Sequence, residues 1–277
     1  MYVDAHVHFW NPETLRYPWL AGTALDRAYR PADLAAELGE LPGLVMVQAD
    51  CAPGQARAEV EWVRAAAEAY PRILGMVAYA PLEIGPGADG LIDEYATDPF
   101  VVGVRRNIQD EGPGFAATGH FRYGVRALGE AGLTFDACVR HHQLGELLTL
   151  ARACPGTTIV LDHLGKPPVA TGEGRRAWRD ALAGLAGLPH VRCKLSGLVT
   201  EAAYDTWTPD QVRPYLETAL ELFGPGRCLF GSDWPVLTLA SDYRQWYGMV
   251  RALIPPVDRD AVLSGNAREI YGLPPIP

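Results

Sequence analysis

The chain has 277 residues, with 24 Lys or Arg against 33 Asp or Glu, and its net charge of -9 argues against a nucleic-acid binder. At 48% hydrophobic and 21% charged it has the composition of an ordinary globular protein, so disorder, collagen-like repeats and disulfide scaffolds are excluded. No apolar run approaches the roughly 20 residues of a membrane span, no secretory leader is visible, and five Cys without close pairing read as reduced packing residues, so a soluble cytoplasmic protein without membrane partners is expected.

Strand and helix signals alternate through the chain without a linker or repeat, which predicts one domain over residues 1–277. The first strand is expected near Tyr2 to Ala5 and is followed by His6 and His8. Residues two apart on an extended backbone project to one side, so the two imidazoles converge. They suit a divalent metal or a cradle for a developing oxyanion, and the alternative is a pair of histidines satisfied by neighbouring backbone. Trp10 and Trp19 come next, and with Trp207 and Trp234 they offer flat faces suited to a sugar ring.

A second strand is predicted at Leu44 to Val47 and a helix over Ala56 to Tyr70, where Val60, Val63 and Ala67 repeat at helical spacing and Pro71 ends the pattern. The third strand, Ile73 to Tyr79, precedes Gly85-Pro86-Gly87-Ala88-Asp89-Gly90. That string matches Gly-x-Gly-x-x-Gly, but Pro81 to Ile84 separate it from the strand and Pro86 lacks an amide donor, so no nucleotide or organic cofactor is expected. The fourth strand, Val101 to Val104, ends in Arg105 and Arg106 with Gln109 in the same loop. Arg105 is the favoured binder of a carboxylate or lactone oxygen, and the alternative is an ion-pair network of the two arginines with Asp110 and Glu111.

The fifth strand is predicted at Leu133 to Cys138, with a helix over Gln143 to Ala153, and the sixth strand at Thr158 to Leu161. At its mouth stand Asp162 and His163, of which strand alternation lets only one face the axis, and His163 is favoured. A helix over Trp178 to Leu185 leads to the seventh strand, Val191 to Leu195, where Lys194 and Ser196 share a face. Lys194 reads as a buried cation or a substrate contact rather than a nucleophile. A helix over Pro209 to Phe223, the eighth strand at Cys228 to Phe230 and a helix over Asp258 to Tyr271 complete the chain. Asp233, just after the last strand, is the candidate general base or metal ligand, and its bland alternative is a helix N-cap ahead of Trp234-Pro235. Eight β-α units predict a (β/α)8 TIM barrel, with an open doubly wound sheet as its rival and the chemistry at the strand C-termini.

The segments Val3-Asp4-Ala5-His6-Val7-His8-Phe9-Trp10, Leu161-Asp162-His163-Leu164-Gly165-Lys166-Pro167, Cys193 to Glu201 and Phe230-Gly231-Ser232-Asp233-Trp234-Pro235 resemble the amidohydrolase superfamily, and more narrowly its sugar-lactonase branch. The resemblance runs from Val3 to about Tyr271. It implies a barrel that hydrolyses the cyclic ester of an aldonic acid at His6, His8, His163 and Asp233. Binuclear relatives place a lysine or glutamate on the fourth strand and a histidine on the fifth, where this chain has Val104-Arg105-Arg106 and Phe135 to Val139. The resemblance therefore implies at most one divalent ion, zinc or manganese, on His6, His8 and Asp233, in a site the reaction can do without. The competing readings are a metal-dependent aromatic-acid decarboxylase of the same superfamily and a non-catalytic sugar-acid binding protein.

Overall fold

The computed structural model describes residues 1–277. Eight strands lie parallel in one sheet in chain order: β1 (Val3–Val7), β2 (Gly43–Val47), β3 (Ile73–Ala78), β4 (Val101–Arg105), β5 (Thr134–Ala137), β6 (Ile159–Leu161), β7 (Val191–Leu195) and β8 (Cys228–Phe230). The edges meet at a Val7–Trp234 bridge, where the His8 amide donates to the Trp234 carbonyl at 2.7 Å and the Asp233 amide to the His6 carbonyl at 2.8 Å. The barrel is thus closed by the backbone of residues flanking the two strands that carry the site, which ties ring closure to site geometry.

Every run expected to be a strand is one, with ends moved by a few residues; β1 extends to Val7 and so takes in His6. The helices are α1 (Pro31–Leu38), α2 (Ala56–Ala69), α3 (Asp89–Ala96), α4 (Gly119–Glu130), α5 (Leu144–Ala153), α6 (Arg175–Ala186), α7 (Pro209–Phe223), α8 (Tyr243–Leu253) and α9 (Asn266–Ile270). Four of them, α2, α5, α6 and α7, match the sequence pattern. The helix expected over 258–271 is a π-turn at Ala261–Gly265 running into α9. The remaining four, α1, α3, α4 and α8, carry weaker signals: α4 contains Gly119, Gly124 and Gly129, which lower helix propensity, and packing of Phe121, Val125 and Leu128 overrides it. No helix is long and apolar enough to cross a membrane.

Inside the barrel the strands divide into two layers. The lower layer is apolar, with Val3, Ala5, Val45, Val47, Val77, Val160 and Leu229 closed off by Ala267, Tyr271 and Leu273 from the C-terminal segment. Burying each such Val or Leu contributes about 1.5–3 kcal/mol. The upper layer is polar and fully enclosed, containing His6, Asp136, Asp162 and Lys194. A register irregularity between Asp4 and Val7 lets β1 serve both layers, because strict alternation would send Ala5 and His6 to opposite faces.

Candidate active site

The polar layer opens at the strand C-termini into a cavity of about 200 Å3, whose wall includes His8, Trp19, Arg105, Gln109, His163 and Asp233. His6, itself fully buried, lies behind this wall, with Nε2 3.2 Å from His8 Nε2 and 3.6 Å from Asp233 Oδ1, while His8 Nε2 lies 3.3 Å from the same oxygen. His8 Nδ1 is 2.7 Å from the Val47 carbonyl, which can only accept, so the proton sits on Nδ1 and the Nε2 lone pair faces inward. His6 Nδ1 lies 3.2 Å from both Asp162 Oδ1 and Lys194 Nζ, while its Nε2 lies 3.4 Å from Arg105 Nη1, which can only donate, so the His6 Nε2 lone pair also faces inward. Three electron-rich atoms thus face one another, a repulsive arrangement unless a cation lies between them. His6, His8 and Asp233 therefore suit a divalent metal. A second trio, His6, Asp162 and His163, is less suited, since the Lys194 ammonium already lies 3.1 Å from Asp162 Oδ1.

His163 approaches from the opposite side, its Nε2 3.9 Å from Asp233 Oδ1 and its Nδ1 2.9 Å from the buried Ser196 hydroxyl. Ser196 satisfies its own proton by donating to Nδ1, which leaves Nε2–H as a donor aimed into the cavity. Burial pushes the His163 pKa down to about 4 against the pull of Asp233 and Asp162, so the ring is neutral at physiological pH. For Asp233, burial alone would raise the pKa, but His163, His8 and His6 outweigh it and hold the carboxyl well below the usual range. The group is a carboxylate whenever the enzyme is folded at neutral pH.

Strand alternation, which would let only one of Asp162 and His163 face the axis, does not hold past the end of β6. Asp162 faces the axis beside His6 and Lys194, and His163 reaches the cavity as well. The reason is that the backbone leaves the strand at Leu161 and turns left-handed at His163 (φ 54°) and Leu164 (φ 55°), where period-two geometry no longer applies. Asp233 has φ 64° and does not cap a helix with its side chain. Of the five non-glycine residues with positive φ, Asp50, His163, Lys166 and Asp233 line the cavity. Each such residue costs about 1–3 kcal/mol, and this clustering is the usual mark of a functional site. Gly197 (φ +59°) is needed for a second reason: a Cβ there would lie 2.3 Å from His163 Nδ1.

Two further expectations are corrected. Lys194 is 0% exposed and lies beneath His6, donating to Asp136 and bracketed by Asp162, so it cannot touch a substrate. Its long side chain rises along the axis from β7 toward two buried carboxylates, and Asp136 and Asp162 outweigh burial to keep it charged. Trp10 is also 0% exposed, with Nε1–H donating to the Arg27 carbonyl, and it packs edge-on against Trp19 rather than lining the cavity. Arg105 lines the cavity as expected, held by donation from Nη2 to the Gln48 carbonyl, with Nη1 3.4 Å from His6 Nε2. The ion-pair alternative applies to its neighbour, since Arg106 binds Glu83 and Glu111. Asp50, Asn107, Cys138 and Lys166 also line the cavity and are not among the residues expected from the sequence, although each stands one to five residues past a strand end, which is the signal that finds them.

The sequence profile described as Amidohydrolase matches residues 3–273. An L-fucono-1,5-lactonase of Burkholderia multivorans is 32% identical, over 98% of this chain and 96% of the relative. One from Burkholderia ambifaria is 33% identical over 97% of this chain and 94% of its own. The crystal structure of an amidohydrolase from Burkholderia multivorans with bound zinc superposes with a TM-score of 0.89 at 32% identity, covering 99% of this chain and 100% of that one. Profile, full-length relatives and barrel agree: the chain belongs to the amidohydrolase family.

Proposed function

We propose that this chain is a lactone hydrolase that opens the ring of a sugar aldonic acid, with L-fuconolactone the first substrate to try and carbohydrate catabolism the setting. The observation that carries this reading is the convergence of His8, His163, Arg105 and Asp233 on one cavity, with His6 behind them in contact with His8 and Asp233, in a chain whose full-length relatives are named lactonases.

In this reading Asp233 takes a proton from the water that attacks the lactone carbonyl and returns it to the leaving ring oxygen. His163 Nε2–H and the Arg105 guanidinium donate to the oxyanion as it forms, and one such donor contributes about 3–4 kcal/mol to the transition state. Trp19 and Gln109 contact the sugar. Asp162, fixed by Lys194, holds His6 in one orientation, so Lys194 acts as a positioning residue. A divalent ion on His6, His8 and Asp233, zinc or manganese, would add electrophilic charge at the carbonyl oxygen. An activated ester needs less help than an amide, so the protein donors alone also support turnover.

The test is acid release from L-fucono-, L-rhamnono-, D-arabinono- and L-galactono-lactones by chelator-treated enzyme, alone and with added zinc or manganese. Ring opening in either preparation supports the reading, and the metal arm decides whether His6, His8 and Asp233 act as ligands. Silence across the panel in both preparations refutes it.

A further inference from the structure

The cavity does not end at the lactone site. It shares Trp19, Asp50, Asn107 and Asp110 with an outer compartment of about 310 Å3 that Ala52 and Tyr79 help to complete. The inner volume of about 200 Å3 lies below the roughly 300–1,000 Å3 common for ligand pockets and suits one small ring. The shared wall lies toward the β2 and β4 ends, with Asp50 and Asn107 each a few residues past a strand.

The chemistry of that wall favours a second sugar. Trp19 keeps 37% exposure, yet its ring is fixed by donation from Nε1 to the Ala49 carbonyl at 2.8 Å and by the edge-on contact with Trp10, giving a rigid apolar face. Asp50 is exposed on this wall beside Asn107 and Asp110, so the wall offers carboxylate acceptors and takes hydroxyl donors. The cation on the outer wall, Arg106, is already held by Glu83 and Glu111 and lies over the Phe115 ring. A phosphate or carboxylate would find no free positive charge there. A neutral polyhydroxyl ring stacked on Trp19 finds both of its needs.

We propose that the outer compartment is a second sugar subsite, and that the preferred substrate is the lactone of a glycosylated aldonic acid, its glycosyl group on the side of the ring remote from the ester. This rests on the lactonase reading above. The reaction is unchanged by the substituent: water supplies hydroxyl to the carbonyl carbon and a proton to the ring oxygen as the ester C–O bond breaks, and the glycosidic bond stays intact.

Cellobiono-, lactobiono- and melibiono-δ-lactones should be compared with glucono-δ-lactone, their common parent, using wild type, Ala52→Trp and Tyr79→Ala. At least one bionolactone is expected to exceed the parent in kcat/KM by about tenfold or more. Ala52→Trp, which fills only the outer compartment, should erase that advantage while leaving the parent within about twofold, and Tyr79→Ala should reduce it. A parent lactone opened as well as or better than every bionolactone overturns the second subsite and leaves the lactonase standing, as does an advantage that survives both substitutions. If none of these four lactones is opened, the second subsite is overturned, and the lactonase reading is decided by the L-fucono-lactone panel above.

Discussion

The two layers of the barrel interior are built on the same strands a few ångströms apart, yet they obey opposite rules. The lower layer, with Val45, Val47, Val77, Val160 and Leu229 under the Tyr271 plug, is held by burial alone. In the upper layer, Lys194, Asp136, Asp162 and His6 have no solvent at all, and each charge persists only because an opposite charge stands within about hydrogen-bond distance. Tyr271 joins the two, its ring within the apolar cluster and its hydroxyl donating to Asp136 at 2.7 Å. The upper layer costs stability in orienting His6, and the lower layer supplies it.

Asp233→Asn is expected to lower turnover by about a thousandfold, within the 10²–10⁴ range for a lost acid-base group, while the thermal midpoint stays near wild type. Near-normal turnover in a folded variant would remove Asp233 from the chemistry. Lys194→Met leaves buried Asp136 without its cation and Asp162 with only Arg105, 3.6 Å away, and a loss of about 3–5 kcal/mol by urea unfolding is expected, greater at pH 8 than at pH 5 because protonation relieves it. A variant as stable as wild type would show that the polar layer is not held by charge pairing.

Leu229→Ala probes the lower layer, where a loss of about 2–5 kcal/mol should appear with kcat/KM unchanged. A large kinetic effect there would mean the layers are not separable. The smallest effect is at Glu59, buried on α2, whose Oε1 accepts the Ala49 amide at the edge of the cavity. Burial raises its pKa to about 7 against the opposing Ala49 hydrogen bond, so the folded state holds a proton that the unfolded chain releases near 4.5. Stability from this group is present below about 4.5 and falls as pH rises to about 7. Glu59→Gln should therefore be indistinguishable from wild type near pH 4.5 and more stable by up to about 3 kcal/mol at pH 8, read as a pH-dependent shift in thermal midpoint. A pH-independent difference would contradict the assignment.

Much of this was readable without coordinates. The eight apolar runs mark the barrel because burial on both faces demands continuous hydrophobic strands. His8, His163 and Asp233 were visible because polar residues just past strand ends gather at one mouth in this architecture, and His6 and Arg105 because they stand within the last two residues of β1 and β4. The helices α1, α3, α4 and α8 were not, since packing rather than propensity makes them form.

What the sequence by itself determined is the order of strands, the family and the residues that meet at the strand mouths, all of which are local patterns placed by one repeating unit. Tertiary structure alone decided the rest. It placed Lys194 beneath His6 instead of against substrate, withdrew Trp10 behind Trp19, and brought both Asp162 and His163 to the site. Each of those outcomes depends on where a side chain ends after the backbone leaves regular geometry, and on which charges from distant strands are near enough to neutralise it. Neither quantity is encoded in spacing along the chain.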